Sequence, residues 1–168
     1  MRGLILAFVL LMSGCGYVPS SHLAKEVVGE SIYTKVIISL SDPQNTVIIK
    51  DAVDAAVLTR FRASLADEQV AKTKLIFNIN SISYNPMRYD NNGYVITYRT
   101  VVNLGVNRAS GDDAKSYSSV GYYDFDIEPN AIISDKLRFD AIRNGASKAL
   151  DSFIAQVASD GIEARNDN

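Results

Sequence analysis

The feature that most constrains this chain is its amino-terminal stretch, residues 1–15. Arg2 supplies positive charge, residues 4–12 form an unbroken apolar run, and the small residues Ser13 and Gly14 precede Cys15. A basic start, a short apolar segment and a small-residue cleavage site are the order of a secretory signal. The apolar run is far shorter than the ~20 residues that a membrane-spanning helix needs. We therefore expect this segment to be cleaved rather than retained as a membrane helix.

The segment Leu-Met-Ser-Gly-Cys at residues 11–15 resembles the lipobox of bacterial lipoproteins, with Met12 where leucine is more usual. The resemblance implies that Cys15 becomes the first mature residue and carries covalent acyl chains such as palmitate, the only cofactor that we expect. Two or more acyl chains hold a protein firmly on a membrane. Gly16 stands where enterobacterial lipoproteins of the inner membrane carry Asp, which is compatible with the outer membrane. The alternatives are a secreted protein with an unmodified cysteine and a buried amino-terminal segment.

Cleavage after residue 14 would leave 154 of the 168 residues, which suits one domain. We predict a signal peptide over residues 1–14, a lipidated tether over 15–30, a single domain over 31–160 and a frayed tail over 161–168. A domain of this size buries enough surface to fold without disulfides or a structural metal.

Charge and cysteine content exclude several classes of function. Without Arg2, 16 of the 17 basic side chains remain against 19 acidic ones, a formal charge of −3. No basic stripe is present, so nucleic acid is not an expected partner. Cys15 is the only cysteine and His22 the only histidine, which excludes an internal disulfide and metal sites built from these two residue types.

Hydrophobic periodicity predicts six elements along the mature chain. Alternating apolar residues predict strands over residues 31–40, 74–88, 94–106 and 115–128. A shift of parity predicts a bulge near Ser81. Helical spacing predicts helices over 46–65 and 134–159, the second ending at Gly161. The turns fall at residues 90–93 and 110–113.

The order β-α-β-β-β-α indicates an α+β fold. The first two strands are joined through a helix and are expected to pair in parallel, whereas the others form hairpins. The simplest packing that buries the apolar faces of these elements is a two-layer sandwich with two helices on one face of a four-stranded mixed sheet.

Side chains that could support catalysis have simpler interpretations. Three carboxylates project from one face of a predicted strand: Asp124, Asp126 and Glu128. They are either an aligned group with a chemical role or the solvent-exposed face of an amphipathic strand. The serines at 116, 118 and 119 have no histidine in the folded part to activate them, which leaves only a Ser-Lys arrangement with Lys115. We predict no enzymatic activity and no metal site.

The order of elements, the lipobox start and the motif at residues 89–99, Tyr-Asp-Asn-Asn-Gly-Tyr-Val-Ile-Thr-Tyr-Arg, are similar to the lipopolysaccharide-assembly lipoprotein family, LptE. The resemblance covers nearly all of the mature chain. It implies an outer-membrane lipoprotein with two helices on a four-stranded sheet, facing the periplasm or lying as a plug inside the β-barrel translocon LptD. It also implies lipopolysaccharide as a ligand, although the cations that this chain offers to phosphates are scattered.

Within this resemblance, Tyr89, Asn92 and Asp112 are candidate contacts with the partner barrel. Arg88 and Arg99 flank the turn and are candidate contacts with lipopolysaccharide, because guanidinium groups match phosphate geometry. The alternative is that each arginine pairs with a nearby carboxylate such as Asp90. Other possible functions are activation of a periplasmic enzyme, service to another lipid exporter, and hydrolysis.

Overall fold

The computed structural model describes residues 24–25, 27–37 and 43–166. Within them lie β1 (Ser31–Ile37), α1 (Pro43–Thr59), β2 (Ser64–Leu65), β3 (Thr73–Tyr89), β4 (Val95–Ser110), β5 (Asp113–Asp126) and α2 (Asp135–Asn166). The predicted α+β class is confirmed. The predicted count of four strands and the order β-α-β-β-β-α are wrong, because β2 adds a fifth strand. Cys15, His22, the predicted signal peptide and residues 38–40 of the first predicted strand lie outside the described residues.

The strands form one mixed sheet in the order β2-β1-β3-β4-β5. β1 pairs with β3 in parallel, as the helical connection predicted, and β3, β4 and β5 are joined by antiparallel hairpins. The register of β3 against β4 shifts between Ile79 and Ser81, which confirms the predicted bulge. The shift keeps apolar side chains on the inner face along the whole of a long strand.

The strand β2 replaces the last turns of the predicted first helix. α1 ends at Thr59, and the chain reverses at Arg62, whose φ of 51° is uncommon for a residue other than glycine. Phe61, the last apolar residue of the predicted helical stripe, is buried on one side of this reversal and Ala63 on the other, so both contribute to the core outside a helix. The backbone then pairs with β1, where Ser64 N donates to Glu30 O at 2.8 Å. This pairing satisfies polar groups that β1 would otherwise leave unpaired.

The second helix is longer than predicted. α2 runs for 32 residues, through Gly161 and into the predicted frayed tail at 161–168. Glycine costs a helix about 1 kcal/mol relative to alanine, and the contacts around it offset this cost. Gly161 is itself buried, and Asp160 accepts hydrogen bonds from two residues of β5. Tertiary packing therefore overrides the local stop signal.

Both helices pack on one face of the sheet, as predicted. Phe153 of α2 makes edge-to-face contacts with Phe61, after α1, and with Phe77 of β3, at centroid distances of 6.1 and 5.8 Å. The strands supply the inner side chains of this core: Ile32, Val36, Leu75, Phe77, Val102, Leu104 and Val106. Among the described residues no helix packs on the opposite face of the sheet, which we call the open face.

The helix α2 lies unusually close to β4 and β5. A Cβ added to Gly145 would lie 2.8 Å from Cγ2 of Val102, and a Cβ added to Gly121 would overlap the Gly145 carbonyl oxygen. Thr100, which interrupts the apolar pattern of β4, is fully buried in this region. The glycines on α2 and on β5 thus allow α2 to pack directly against the β4–β5 pair.

The packed body extends beyond the predicted 31–160 domain. Residues 24, 25, 27 and 28 are helical, Ala24 and Val28 are fully buried in the core, and Gly29 follows at a φ of 75°. The end of the predicted tether therefore contributes to the core. None of the helices in the described segments is both long enough and apolar enough to cross a membrane.

Candidate interaction site at the hairpin end

The β3–β4 turn is built around Asp90. Its Oδ1 accepts hydrogen bonds from the backbone N–H groups of Asn92 and Tyr94, at 2.9 and 2.8 Å, and Gly93 takes the positive φ of 85° that the turn requires. The predicted hairpin is confirmed. Because Asp90 is engaged by its own turn, it is not the carboxylate that pairs with the neighbouring arginines.

Arg99 lies on the open face opposite Asp124 of β5. Its Nε and Nη2 donate to the two carboxylate oxygens at 2.7 Å each, a bidentate pair. The hydrogen bond to Asp124 raises the pKa of Arg99, and the same hydrogen bond lowers the pKa of Asp124. The guanidinium also lies over the ring of Tyr122, 5.8 Å from its centroid. The pair is thus fixed from two sides.

Arg88 lies on the other arm of the hairpin and pairs with Asp126. Its Nη2 is 3.3 Å from Oδ1 of Asp126, which also accepts a 2.6 Å hydrogen bond from Thr97. Two guanidiniums and two carboxylates therefore alternate along the open face, and their formal charges cancel. Both arginines are brought to one end of the sheet, as predicted, but each is neutralised by a carboxylate of β5 rather than left free for a phosphate.

Apolar side chains collect around the same end of the molecule. Met87, Tyr89 and Tyr94, which flank the turn, are 47%, 56% and 45% exposed. β5 ends opposite Thr97, so the loop that follows it and the start of α2 lie at this end as well. They add Ile132, which is 90% exposed, and Phe139. We call these five exposed residues at one end of the molecule the hairpin-end patch; exposed apolar surface is a common feature of interaction sites.

Asp112 does not belong to this site. It lies in the β4–β5 turn, with Gly111, between the paired residues Ser110 and Asp113. β4 runs for 16 residues between the two turns, about 50 Å at ~3.3 Å per residue. The structure therefore brings Tyr89 and Asn92 together and places Asp112 at the opposite end of the sheet.

A second polar cluster lies at the Asp112 end, on the helix side. Arg108 is only 5% exposed and donates to Asp113 Oδ2 at 2.6 Å and to the Tyr117 hydroxyl at 3.3 Å. Tyr117 donates in turn to Asp160 of α2 at 2.6 Å, and Lys115 donates to the other oxygen of Asp160 at 2.7 Å. We call these five residues the buried network after its two buried members, Arg108 and Tyr117; Asp113 and Lys115 are exposed. The sequence analysis counted Arg108 only among the scattered cations. Arg108 nevertheless follows Leu104 and Val106 at the alternate positions of β4 whose side chains point into the core.

The environment of the buried network sets its protonation. Burial raises the pKa of Tyr117, and its hydrogen bond to Asp160 raises it further. Burial alone would raise the pKa of Asp160, but the hydrogen bonds from Lys115 and Tyr117 outweigh it and the pKa is lowered. The hydrogen bond to Asp160 also raises the pKa of Lys115. Lys115 is thus kept protonated by its hydrogen bond to Asp160 of α2, whereas a Ser-Lys mechanism needs an unprotonated lysine as its base.

Two of the serines considered for catalysis lie in structural positions. Ser116 donates to Asn107 at 2.8 Å, and Ser119 is buried beneath α2. In the part of the chain that the structure describes, no three His, Cys, Asp or Glu side chains are grouped so as to hold a metal ion. A groove of about 280 Å³ separates α1 from α2. Of the two arginines that line it, Arg60 and Arg143, the first is already paired with Asp151 and hydrogen-bonded to Ser147.

Comparison with known proteins places the fold and leaves the family open. No protein-family model and no curated protein matches the sequence. A Caulobacter crescentus protein described as a lipoprotein has a TM-score of 0.51 and 10% identity, over 85% of this chain and 95% of that one. Rare lipoprotein B from Shewanella oneidensis has a TM-score of 0.43 and 12% identity, over 82% of this chain and 95% of that one. A minor lipoprotein from Acinetobacter baumannii has a TM-score of 0.46 and 5% identity, over 80% and 94%. The first of these shares the fold with this chain.

Proposed function

We propose that this chain is an outer-membrane lipoprotein of the lipopolysaccharide-assembly machinery, similar to LptE, that acts as plug and assembly partner of an LptD-type β-barrel. A lipid on Cys15 anchors it, and its body faces the periplasm or lies inside the barrel. It performs no chemistry of its own. The observation that carries the proposal is the hairpin-end patch, because it adjoins the motif at residues 89–99 on which the family resemblance depends.

The composition of the hairpin-end patch supports a protein partner. Tyrosine and methionine are enriched at protein interfaces, and tyrosine supplies contact area at low conformational-entropy cost. Tyr89 and Tyr94 stand on either side of a tight turn that Asp90 and Gly93 hold in one shape. The patch is therefore presented on a preorganised support, which lowers the cost of ordering it on binding.

The open face supports burial in a barrel rather than in lipid. The interior of large outer-membrane barrels is polar. The open face carries polar side chains and ion pairs in which charge is already balanced: Asn78, Ser81, Asn103, Arg99–Asp124 and Arg88–Asp126. Neutral polar surface of this kind can be placed against a polar wall without leaving a charge unpaired.

Lipopolysaccharide binding through Arg88 and Arg99 is the less supported part of the proposal. A lipid phosphate would have to compete with Asp124 for a bidentate guanidinium, or use the N–H donors that the pair leaves free. We therefore place the plug role first and lipid contact second.

Photo-crosslinking in the cell envelope tests the plug role. Crosslinkers at Tyr89 and Asn92 should capture a β-barrel of the lipopolysaccharide translocon, because both residues lie at the exposed hairpin end. Leu58, an exposed apolar residue of α1, is the matched control and should not capture it. A crosslinker at Asp112 reports whether the barrel also contacts the opposite end of the sheet.

Two outcomes of this experiment would reject the plug role. One is the absence of a barrel adduct at both hairpin positions in a folded, anchored protein. The other is an adduct with a periplasmic enzyme at those positions, which would favour the activator function instead.

A further inference from the structure

The outer strand β5 exposes a full row of backbone hydrogen-bonding groups. Ser110 and Asp113 close a two-residue turn, so they form a hydrogen-bonded pair, and such pairs recur at every second residue along the ladder. The odd-numbered residues of β5 therefore bond to β4. The even-numbered residues, from Ala114 to Asp126, point their N–H and C=O groups away from the sheet. Gln156 of α2 confirms the parity, because its Nε2 donates to the outward carbonyl of Ser118 at 3.0 Å.

Apart from Gln156 of α2, whose side chain must release the Ser118 carbonyl before another strand can pair there, this edge lacks the features that usually block strand addition. Natural sheets protect their edges with proline, bulges, inward charges or very short strands. β5 is 14 residues long, contains no proline, and pairs with β4 without a register shift. Its one lysine, Lys115, is held on α2 by Asp160. The strand at the other edge, β2, has only two residues. On that side the described part of β1 pairs with β3 only up to Asn78, which leaves residues 79–89 of β3 as a second stretch of edge, but this stretch contains Pro86 and three register shifts. Among the described strands β5 is thus the long edge without such protection.

We propose that β5 is a self-complementary edge, on which two copies of this chain pair antiparallel about Val120 to form one continuous sheet. On the open face this register places Val120 against Val120 of the second copy. Ser118 then meets Tyr122, and Ser116 meets Asp124, so no like charges oppose one another. A parallel pairing in register would instead set Asp124 against Asp124 and Lys115 against Lys115, which is unfavourable. The charge pattern thus selects the antiparallel pair.

The position of α2 leaves room for the second copy. A Cβ on Gly145 would contact both Val102 and Thr100 of β4, and Gly145 also touches Gly121 of β5, so α2 lies over the seam between the two strands. Adjacent strands are ~4.8 Å apart. At the level of Gly145 the α2 helices of two paired copies would therefore pass about 10 Å apart, the upper end of the ~8–10 Å at which helices pack. Ser152 and Ser159, at i−4 and i+3 from Gln156, give that flank small uncharged side chains.

The pairing is tested with purified full-length protein in detergent by size-exclusion chromatography with light scattering. We expect the protein mass to rise from one copy to two with concentration. Val120→Pro should abolish the dimer while far-UV circular dichroism is unchanged, because the N–H of residue 120 points outward and no ladder bond is lost. Val120→Thr, which keeps the N–H and the β-branched shape, is the matched control and should dimerise like the unaltered chain.

The proposal is overturned if the unaltered chain stays a single copy at every concentration, or if folded Val120→Pro dimerises unchanged. Should Val120→Pro fail to fold, Val120→Cys decides, because residue 120 meets its own copy and should form a disulfide-linked dimer. Asp112→Cys, in the turn beyond the edge, gives the background from an exposed cysteine that does not meet its own copy. No disulfide above that background in folded Val120→Cys overturns the pairing. The pairing does not involve the hairpin-end patch and is measured on the purified chain without a barrel, so its failure is distinguishable from failure of the proposed function.

Discussion

At the scale of single residues, the buried network determines how a charge is tolerated in the core. Arg108 is almost fully buried, and its guanidinium is compensated by Asp113 and by the Tyr117 hydroxyl. Removing one partner from such a network leaves a buried group unsatisfied and costs about 1–3 kcal/mol. Because Tyr117 also donates to Asp160, the same residue fastens α2 to β5.

We expect Tyr117→Phe to lower the free energy of unfolding by about 1–2 kcal/mol at neutral pH, since both hydrogen bonds of the hydroxyl are lost. The pKa of Tyr117 is raised in the folded state, so its contribution is full below the unfolded pKa of about 10 and is lost as pH rises through the folded pKa. The unaltered chain should therefore lose stability above pH ~10, and Tyr117→Phe should lose less in that window. Urea unfolding as a function of pH measures both effects.

Tyr122→Phe is the control for this prediction, because Tyr122 is exposed on the open face. It should leave the neutral-pH stability and the alkaline profile close to those of the unaltered chain. An alkaline profile that Tyr117→Phe leaves unchanged would mean that Tyr117 is not the group responsible.

The arginines of the hairpin show where residue-level prediction stops. The sequence places Arg88 and Arg99 on the two arms of one turn, which the structure confirms. Their carboxylate partners could not be predicted, since they lie in β5 and depend on the register Arg99↔Asp124 and Thr97↔Asp126. Asp90 is nearer in sequence, but the geometry of its turn engages it first. The contact of Arg88 and Arg99 with lipopolysaccharide stays a prediction.

At the scale of elements, two glycines, Gly121 and Gly145, determine how closely α2 packs against the sheet. A Cβ on Gly121 would meet the backbone of α2, which cannot move aside without displacing the whole helix. We expect Gly121→Ala to lower the free energy of unfolding by about 1–3 kcal/mol, the usual cost of overpacking. Urea unfolding monitored by circular dichroism measures it.

Gly105→Ala is the matched control, because Gly105 also lies in a central part of a strand but on the open face. Its added Cβ would lie 3.3 Å from Nδ2 of Asn80, a side chain that can turn away. We expect a change within about 0.5 kcal/mol. If the two variants were equally stable, the close approach of α2 would not be a constraint on this fold.

The elements that prediction missed have a common cause. Strong alternation identified β3, β4 and β5, and the turn residues located both hairpins. Val57 and Phe61 keep the i, i+4 apolar spacing of a helix, which predicted that the helix continues past Thr59. The pairing of β2 with β1, which this spacing does not reveal, ends it. Gly161 carries a local stop signal, but the buried contacts of α2 are formed by residues distant in sequence. Long-range packing decided both cases.

At the scale of the whole molecule, two ends of one long sheet have different characters. The hairpin end carries exposed aromatic and aliphatic side chains beside balanced ion pairs. The opposite end carries the buried network, which fastens α2 to the sheet. This asymmetry fits a body that is rigid throughout and docks through one end, as the proposed plug of a barrel requires.

The most direct test of the proposed function is affinity purification of the tagged, full-length protein from detergent-solubilised outer membranes. Mass spectrometry should then identify the co-purified proteins. The account predicts a large outer-membrane β-barrel of the lipopolysaccharide translocon in an amount comparable to the tagged chain, and its loss when Tyr89 and Tyr94 are both replaced by Asp in a folded protein. Recovery of a periplasmic enzyme in place of the barrel would contradict the account.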